Sequence, residues 1–384
     1  MNTIVWSCDD LPFHLGATPT PDNPPGFPNT LPFVLEVSPE TGLVVQRRDE
    51  HVLELLGAAY ANGSIIGVAM DDTAIGRAYA TDFLGFVDAA RGRRPWPEIR
   101  ALEIGAGRGY FLSLLARTGC TAIGLEPGRE NLPYWRRFGV EVVADSFPSA
   151  QVPGRFDLGV AYGVLEHVAD ATAFLAAVAR QVADDGRVVF AVPNCRPYID
   201  SCDPSMLVHE HWSYFTAETL SALLMRSGFT VLDAAPSGYG GALYVAAAPG
   251  PATARVEAPP PTLQIGAFAS KVEALRRRMA DGIARCRAGG RSLGIFCPSR
   301  GLAVLPVDRT IRFFDDNPDI QGMYYPPFAS VIESRAALIA APTDELWILS
   351  RTFGDRLAAE LAGCPELRAT RILTLAALTA GLPA

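Results

Sequence analysis

Two groups of residues in this chain have types and spacing suited to chemistry. The first is Glu103-Ile-Gly105-Ala-Gly107-Arg-Gly109, a glycine-rich turn between the apolar run Ile99–Ile104 and a helix from Tyr110 to Arg117. Glycines at such a turn allow close backbone approach to a ligand and angles that side chains forbid. The next strand, Thr121–Leu125, ends in Glu126-Pro127, and an acidic residue there suits the two hydroxyls of a ribose. That acid would serve NAD equally well. The loop separates the cases: a dinucleotide pyrophosphate prefers G-x-G-x-x-G at a helix N-terminus, whereas here the glycines alternate. Glu103 adds negative charge that repels phosphate and welcomes a cationic sulfonium with an amino-acid tail. The second group is His209-Glu210-His211-Trp-Ser-Tyr214. An imidazole titrates near neutrality, so His211 is the candidate base, Glu210 the group that orients it, and Tyr214 the next candidate. In a competing reading His211 only shapes a pocket, and Thr216 caps the helix that begins at Ala217. His209-x-His211 has no third ligand in evidence, so no metal is expected there.

The elements that must hold these groups follow the pattern of a parallel sheet covered by helices. A third strand, Val140–Ala144, ends at Asp145-Ser146. A fourth begins at Phe156 and runs into Gly163-Val-Leu-Glu166-His167, and a fifth covers Arg187–Val192. Phe229–Ala235 and Gly241–Ala248 supply an antiparallel edge hairpin. E-x-G-x-G-x-G followed by an acid after strand two resembles the class I methyltransferases that use S-adenosylmethionine (SAM). The V-L-E-H-V segment extends that resemblance. It implies a Rossmann-like α/β core that binds SAM and releases S-adenosylhomocysteine. It also implies cofactor contacts from Glu103, Gly105, Gly107, Gly109, Glu126, Pro127, Asp145, Ser146, Gly163, Glu166 and His167.

Four segments are expected: residues 1–96 as an irregular arm (1–29), a hairpin (31–46) and two helices; 97–249 as the cofactor-binding core; 250–265 as a proline- and alanine-rich linker; and 266–384 as a smaller Rossmann-like domain. In the last, Ser292–Phe296, Thr310–Asp315, Leu338–Ala340 and Glu345–Ile348 read as strands. Cys297-Pro-Ser-Arg-Gly301 is too poor in glycine for a dinucleotide loop. This layout is similar to the three-domain bacterial deoxysugar C-methyltransferases, which act on nucleotide-linked keto-sugars. Phe314-Asp-Asp-Asn-Pro-Asp-Ile-Gln-Gly-Met-Tyr324 and Glu210-His211-x-x-Tyr214-Phe215 carry the likeness.

Departures from that family matter too. Its zinc-type C-x-x-C appears here as Ser38-Pro-Glu-Thr41, and hydroxyls do not replace thiolates, so no zinc is expected. Its Y-x-Y-x-S segment survives only as Tyr60-Ala-Asn62-Gly-Ser64, which puts a second base there in doubt. Its H-G-G-x-x-R becomes Tyr239-Gly-Gly-Ala-Leu-Tyr244, removing groups suited to a charged acceptor.

Net charge of −8 and a pI near 5.3 argue against nucleic acid as a partner. No apolar run approaches membrane-crossing length, and seven unpatterned cysteines fit reduced thiols. A cytoplasmic bacterial enzyme is therefore expected. The basic residues Lys271, Arg276, Arg277, Arg278, Arg285, Arg287 and Arg291 spread around one helix and read as a solvated face rather than a diphosphate clamp. The resulting expectation is methyl transfer to a small-molecule acceptor, with C-methylation of a nucleotide-linked keto-sugar foremost. O- or N-methylation of another metabolite, or a non-catalytic SAM-binding scaffold, stays open.

Overall fold

A computed structural model describes residues 2–61, 70–252, 262–351 and 353–382. Strands form where β-branched and aromatic residues gather, and Thr3-Ile-Val-Trp6 is such a run. It opens strand β1 (Thr3–Pro12), with Trp6 and Leu11 buried. The arm expected over residues 1–29 is corrected there, because its prolines begin only at Pro12. Strand β2 (Thr30–Val37) turns through Ser38–Gly42 into β3 (Val44–Gln46), in register Leu35↔Gln46 and Val37↔Val44. Gly42 takes a left-handed φ of 69° and donates to the Ser38 carbonyl at 2.8 Å. The Ser38 and Thr41 hydroxyls accept from the backbone of Glu40 and Leu43, so both are used in the turn.

Chain contacts divide the molecule into two compact units. One comprises Met1–Ile4, Leu35–Pro197 and Glu210–Thr262; the other comprises Val5–Val34, Tyr198–His209 and Leu263–Ala384. The first unit holds helices α1 (Glu50–Ala61) and α2 (Ala74–Ala90), the latter capped by the Thr73 side chain. Then follow β4 (Arg100–Ile104), α3 (Tyr110–Arg117), β5 (Thr121–Leu125), α4 (Leu132–Phe138), β6 (Val142–Val143), β7 (Phe156–Tyr162), α5 (Ala171–Gln181) and β8 (Val182–Pro193). After α6 (Arg196–Ser201) come β9 (Ser213–Tyr214), α7 (Ala217–Arg226), β10 (Phe229–Pro236) and β11 (Ala242–Pro249). The sheet order is β10-β11-β8-β7-β4-β5-β6. Strands β8 to β6 run parallel, while β11 and β10 are antiparallel, as expected for the edge hairpin. Phe156, Val188 and Phe190 pack into the core on one face of the sheet, and Leu158, Val160 and Val189 into the core on the other. Strand order reverses direction between β4 and β7, and ligands of open α/β sheets bind outside the carboxyl ends at such a point.

The second unit contains α8 (Thr262–Ala288), β12 (Leu293–Phe296), β13 (Arg312–Phe314), β14 (Ile332–Glu333), α9 (Arg335–Ala340), β15 (Glu345–Ile348), α10 (Gly354–Ala362), β16 (Arg371–Thr374) and α11 (Leu375–Thr379). Its sheet is parallel throughout, in order β14-β13-β12-β15-β16. The strand expected at Leu338–Ala340 is helix α9 instead. Ser334 caps it by accepting from Ala337 N at 3.2 Å, and alanine-rich Arg335–Ala340 favours helix. Among the described residues no helix is long and apolar enough to cross a membrane.

Candidate active site

The loop after β4 is built by its glycines. Gly105, Gly107 and Gly109 have φ of 74°, 50° and 77°. A Cβ on Gly105 would stand 2.4 Å from a Val164 methyl, so β4 and the turn after β7 meet there through a missing side chain. Gly105 N and Ala106 N both donate to the Leu125 carbonyl, tying the loop to the end of β5. Glu126 completes that tie, accepting from Gly107 N at 2.9 Å and Gly128 N at 2.8 Å. Trp135 donates its indole N–H to the Gly107 carbonyl at 2.7 Å, a contact that spacing alone did not disclose.

Glu103 lies beneath the loop and is 2% exposed, with no hydrogen-bond partner for Oε2 among the described residues. Burial first, and the nearby Glu126 second, push its carboxyl well above the usual range. Glu126 is also raised by burial, against the two backbone N–H groups that favour its charge. That direction disfavours the ionised form of Glu103 in the protein alone, which refines the picture of a free negative charge beside the loop. A buried carboxyl with one oxygen left without a partner, next to a cradle that a Cβ would fill, fits the ribose and cationic tail of SAM. Asp145, at the end of β6, is held low in pKa chiefly by the Ser149 hydroxyl and also accepts from Ser146 N. Gly163 (φ 66°) ends β7, and Glu166 and His167 follow in a short 3₁₀ turn.

Three residues from distant parts of the first unit meet at His167. Its Nδ1 lies 3.0 Å from the Glu210 backbone carbonyl and 3.0 Å from the Tyr60 hydroxyl. The carbonyl can only accept, so Nδ1 carries the hydrogen, and Tyr60 donates to Glu210 Oε2 at 3.3 Å. Burial, reinforced by Glu210, pushes the Tyr60 hydroxyl pKa upward. His167 Nε2 lies 3.9 Å from Glu166 Oε1. The His211 ring is buried and stands 4.9 Å from that of His167, nearly edge to face, and 6.2 Å from that of Tyr214. Tyr214 is fully buried in β9, and Thr216 and Thr219 form a reciprocal cap on α7.

One ligand atom each from Glu166, His167 and His211 falls within 4.8 Å of the others, a donor set that could hold a divalent cation. The pair expected to be considered for a metal, His209 and His211, is not the one brought together. His209 belongs to the second unit, where its Nε2 is 3.3 Å from the Leu11 carbonyl and Phe33 packs on its ring. Burial lowers its pKa to about 4, so it is a neutral core residue. Tyr60 is the polar site residue that the sequence signal undervalued; Asn62 and Ser64 of its segment lie outside the described residues. Beside these groups, Tyr244 donates to Asp82 at 3.0 Å, and burial raises the Tyr162 hydroxyl to about 12.

Residues 78–234 match the family model of a methyltransferase domain. C-methyltransferase NovU of Streptomyces niveus is 26% identical over 240 residues, covering 56% of this chain and 57% of that protein. The ubiquinone biosynthesis O-methyltransferase of Aeromonas salmonicida (strain A449) is 28% identical over 154 residues, covering 35% and 64%. This chain thus spans roughly three fifths of the length of the curated relatives it matches. Among solved structures, the Burkholderia thailandensis 1,6-didemethyltoxoflavin-N1-methyltransferase is 20% identical, with a TM-score of 0.39 over 56% of this chain and 98% of that one. Residues 78–234 thus match a methyltransferase domain, and the sheet they help to build is the mostly parallel one of a Rossmann-like α/β core.

Proposed function

We propose that the protein transfers a methyl group from SAM to a small-molecule acceptor, with C-methylation of a nucleotide-linked keto-sugar as the specific reaction. The observation that carries the reading is the buried Glu103 carboxyl, its Oε2 without a hydrogen-bond partner among the described residues, beneath three left-handed glycines and with Glu126 beside it. When bound, SAM supplies an electrophilic methyl group on a sulfonium. Glu126 would accept from the ribose, and Glu103 would face the cationic tail. His211 would remove the acceptor proton, on the side of the sheet where β4, β7 and β8 end. The Tyr60–Glu210–His167 set would hold the polar wall beside His211, with Nδ1 of His167 on the Glu210 carbonyl. Similarity to a C-methyltransferase supports the carbon acceptor. Tyr239 and Tyr244, standing where a charged pair is expected, favour a neutral hydroxyl acceptor as the second reading.

The test combines SAM with a panel of keto-sugar nucleotides and with phenols or hydroxyquinones, followed by mass spectrometry of both products. S-adenosylhomocysteine together with a carbon-bound methyl is the expected result. A methyl on oxygen would select the second reading. SAM that binds but is never consumed with any acceptor would remove the catalytic one.

A further inference from the structure

We propose that the second unit carries its own site for a diphosphate-bearing small molecule, in a cleft of about 610 Å³ between α8 and the β15–β16 edge. Helix α8 does not present one uniform basic face. Arg276 turns to Asp10 and Arg287 to Asp308, so those charges are spent locally. Ala274, Arg278, Asp281 and Arg285 are spaced four, three and four apart and form a stripe on the cleft. Arg371 enters from β16, held 3.5 Å from Glu345, a buried carboxylate that also accepts from the Trp347 indole at 2.7 Å. Gly282 permits this closeness, because a Cβ there would stand 2.7 Å from the Trp347 ring.

Arg278, Arg285 and Arg371 face two carboxylates, Asp281 and Glu345, while Arg277 pairs with Glu273 at 3.5 Å, leaving one positive charge in excess inside a chain of net charge −8. Arg278 is fixed by donating to the Leu378 and Ala380 carbonyls at 2.9 and 2.7 Å. Arg285 has no hydrogen bond or ion pair among the described residues. Guanidinium forks match phosphate oxygens in pairs. Residues seven apart leave a helix about 10 Å apart along its axis, so a ligand gripped by both Arg278 and Arg285 carries anionic oxygens on more than one group. Leu373 and Leu378 line the cleft as an apolar surface for the ligand's carbon part. An excess of basic charge inside a small cleft suits a small anion and not a polynucleotide.

Calorimetric titration of the full chain with sodium pyrophosphate should reveal one saturable site. Arg278→Gln/Arg285→Gln should weaken it about tenfold or more, the scale of a lost charge-assisted hydrogen bond. The charge-matched pair Arg117→Gln/Arg180→Gln, on α3 and α5, should leave it unchanged. Because Arg278 also holds two carbonyls, Arg285→Gln alone serves as the fold-safe variant and should weaken binding with the melting temperature unaltered. Absence of saturable binding overturns the proposal, as does equal weakening by both pairs or undiminished binding in Arg285→Gln.

Discussion

Burial disfavours the ionised form of Glu103 in the protein alone, and that makes its proton a reporter. A cation arriving beside it favours the ionised form, so binding SAM should release protons. Titrations in buffers of different ionisation heat should differ, and the difference should vanish in Glu103→Gln. The same residue sets a pH dependence. A carboxyl raised in the folded state keeps its proton above the unfolded value of about 4.3, so stability is full below that pH and falls as pH rises toward the folded pKa. Urea unfolding between pH 5 and 8 should show that decline, and Glu103→Gln should flatten it. Glu126→Ala should weaken SAM binding by about tenfold or more, because a charge-assisted acceptor is worth roughly 1.5–3 kcal/mol; unchanged affinity would remove the ribose assignment. His211→Gln should slow turnover by about a hundredfold or more while SAM affinity stays the same, and the limb of the pH profile near neutrality should disappear. Near-normal turnover would return His211 to a pocket-shaping role.

Between strands and turns, the loop after β4 is the element with least tolerance. Gly105→Ala meets both a left-handed φ and Val164, so a loss on the order of 1–3 kcal/mol is expected, with SAM binding lost as the loop shifts. Chemical denaturation and calorimetry check the two parts separately. The hairpin at Ser38–Thr41 should bind no zinc, since both hydroxyls already serve the turn; elemental analysis of tag-free protein tests this, and zinc persisting in His211→Gln would contradict it. Much of this level was legible in the sequence. Strand β5 was expected over the same residues, Thr121–Leu125, and the glycine loop announced itself because its partners are close along the chain. Leu338–Ala340 failed because a short apolar run has no period that separates helix from strand. Tyr60 escaped for another reason: its partners, His167 and Glu210, lie 107 and 150 residues away, and no local pattern encodes that meeting. His209 and His211 stand two residues apart yet belong to different units, a distinction that residue type alone does not carry.

For the molecule as a whole, the acidic balance should keep it off nucleic acid. Fluorescence anisotropy with single- and double-stranded oligonucleotides at low salt should show no binding, and salt-sensitive binding would overturn that expectation. The second unit's composition also bears on how the protein is made. Thr18 exchanges backbone hydrogen bonds with Tyr324, a residue 306 positions later. During synthesis at about 5–20 residues per second, the segment around Thr18 leaves the ribosome and then waits on the order of tens of seconds for that partner to be made. Trp6 and Leu11 of β1 emerge in the same early stretch. Strand β1 finds its sheet neighbour β2 soon after both are made, so the segment around Thr18, and not β1, is the part of the early chain that must wait for the last sixth of the sequence.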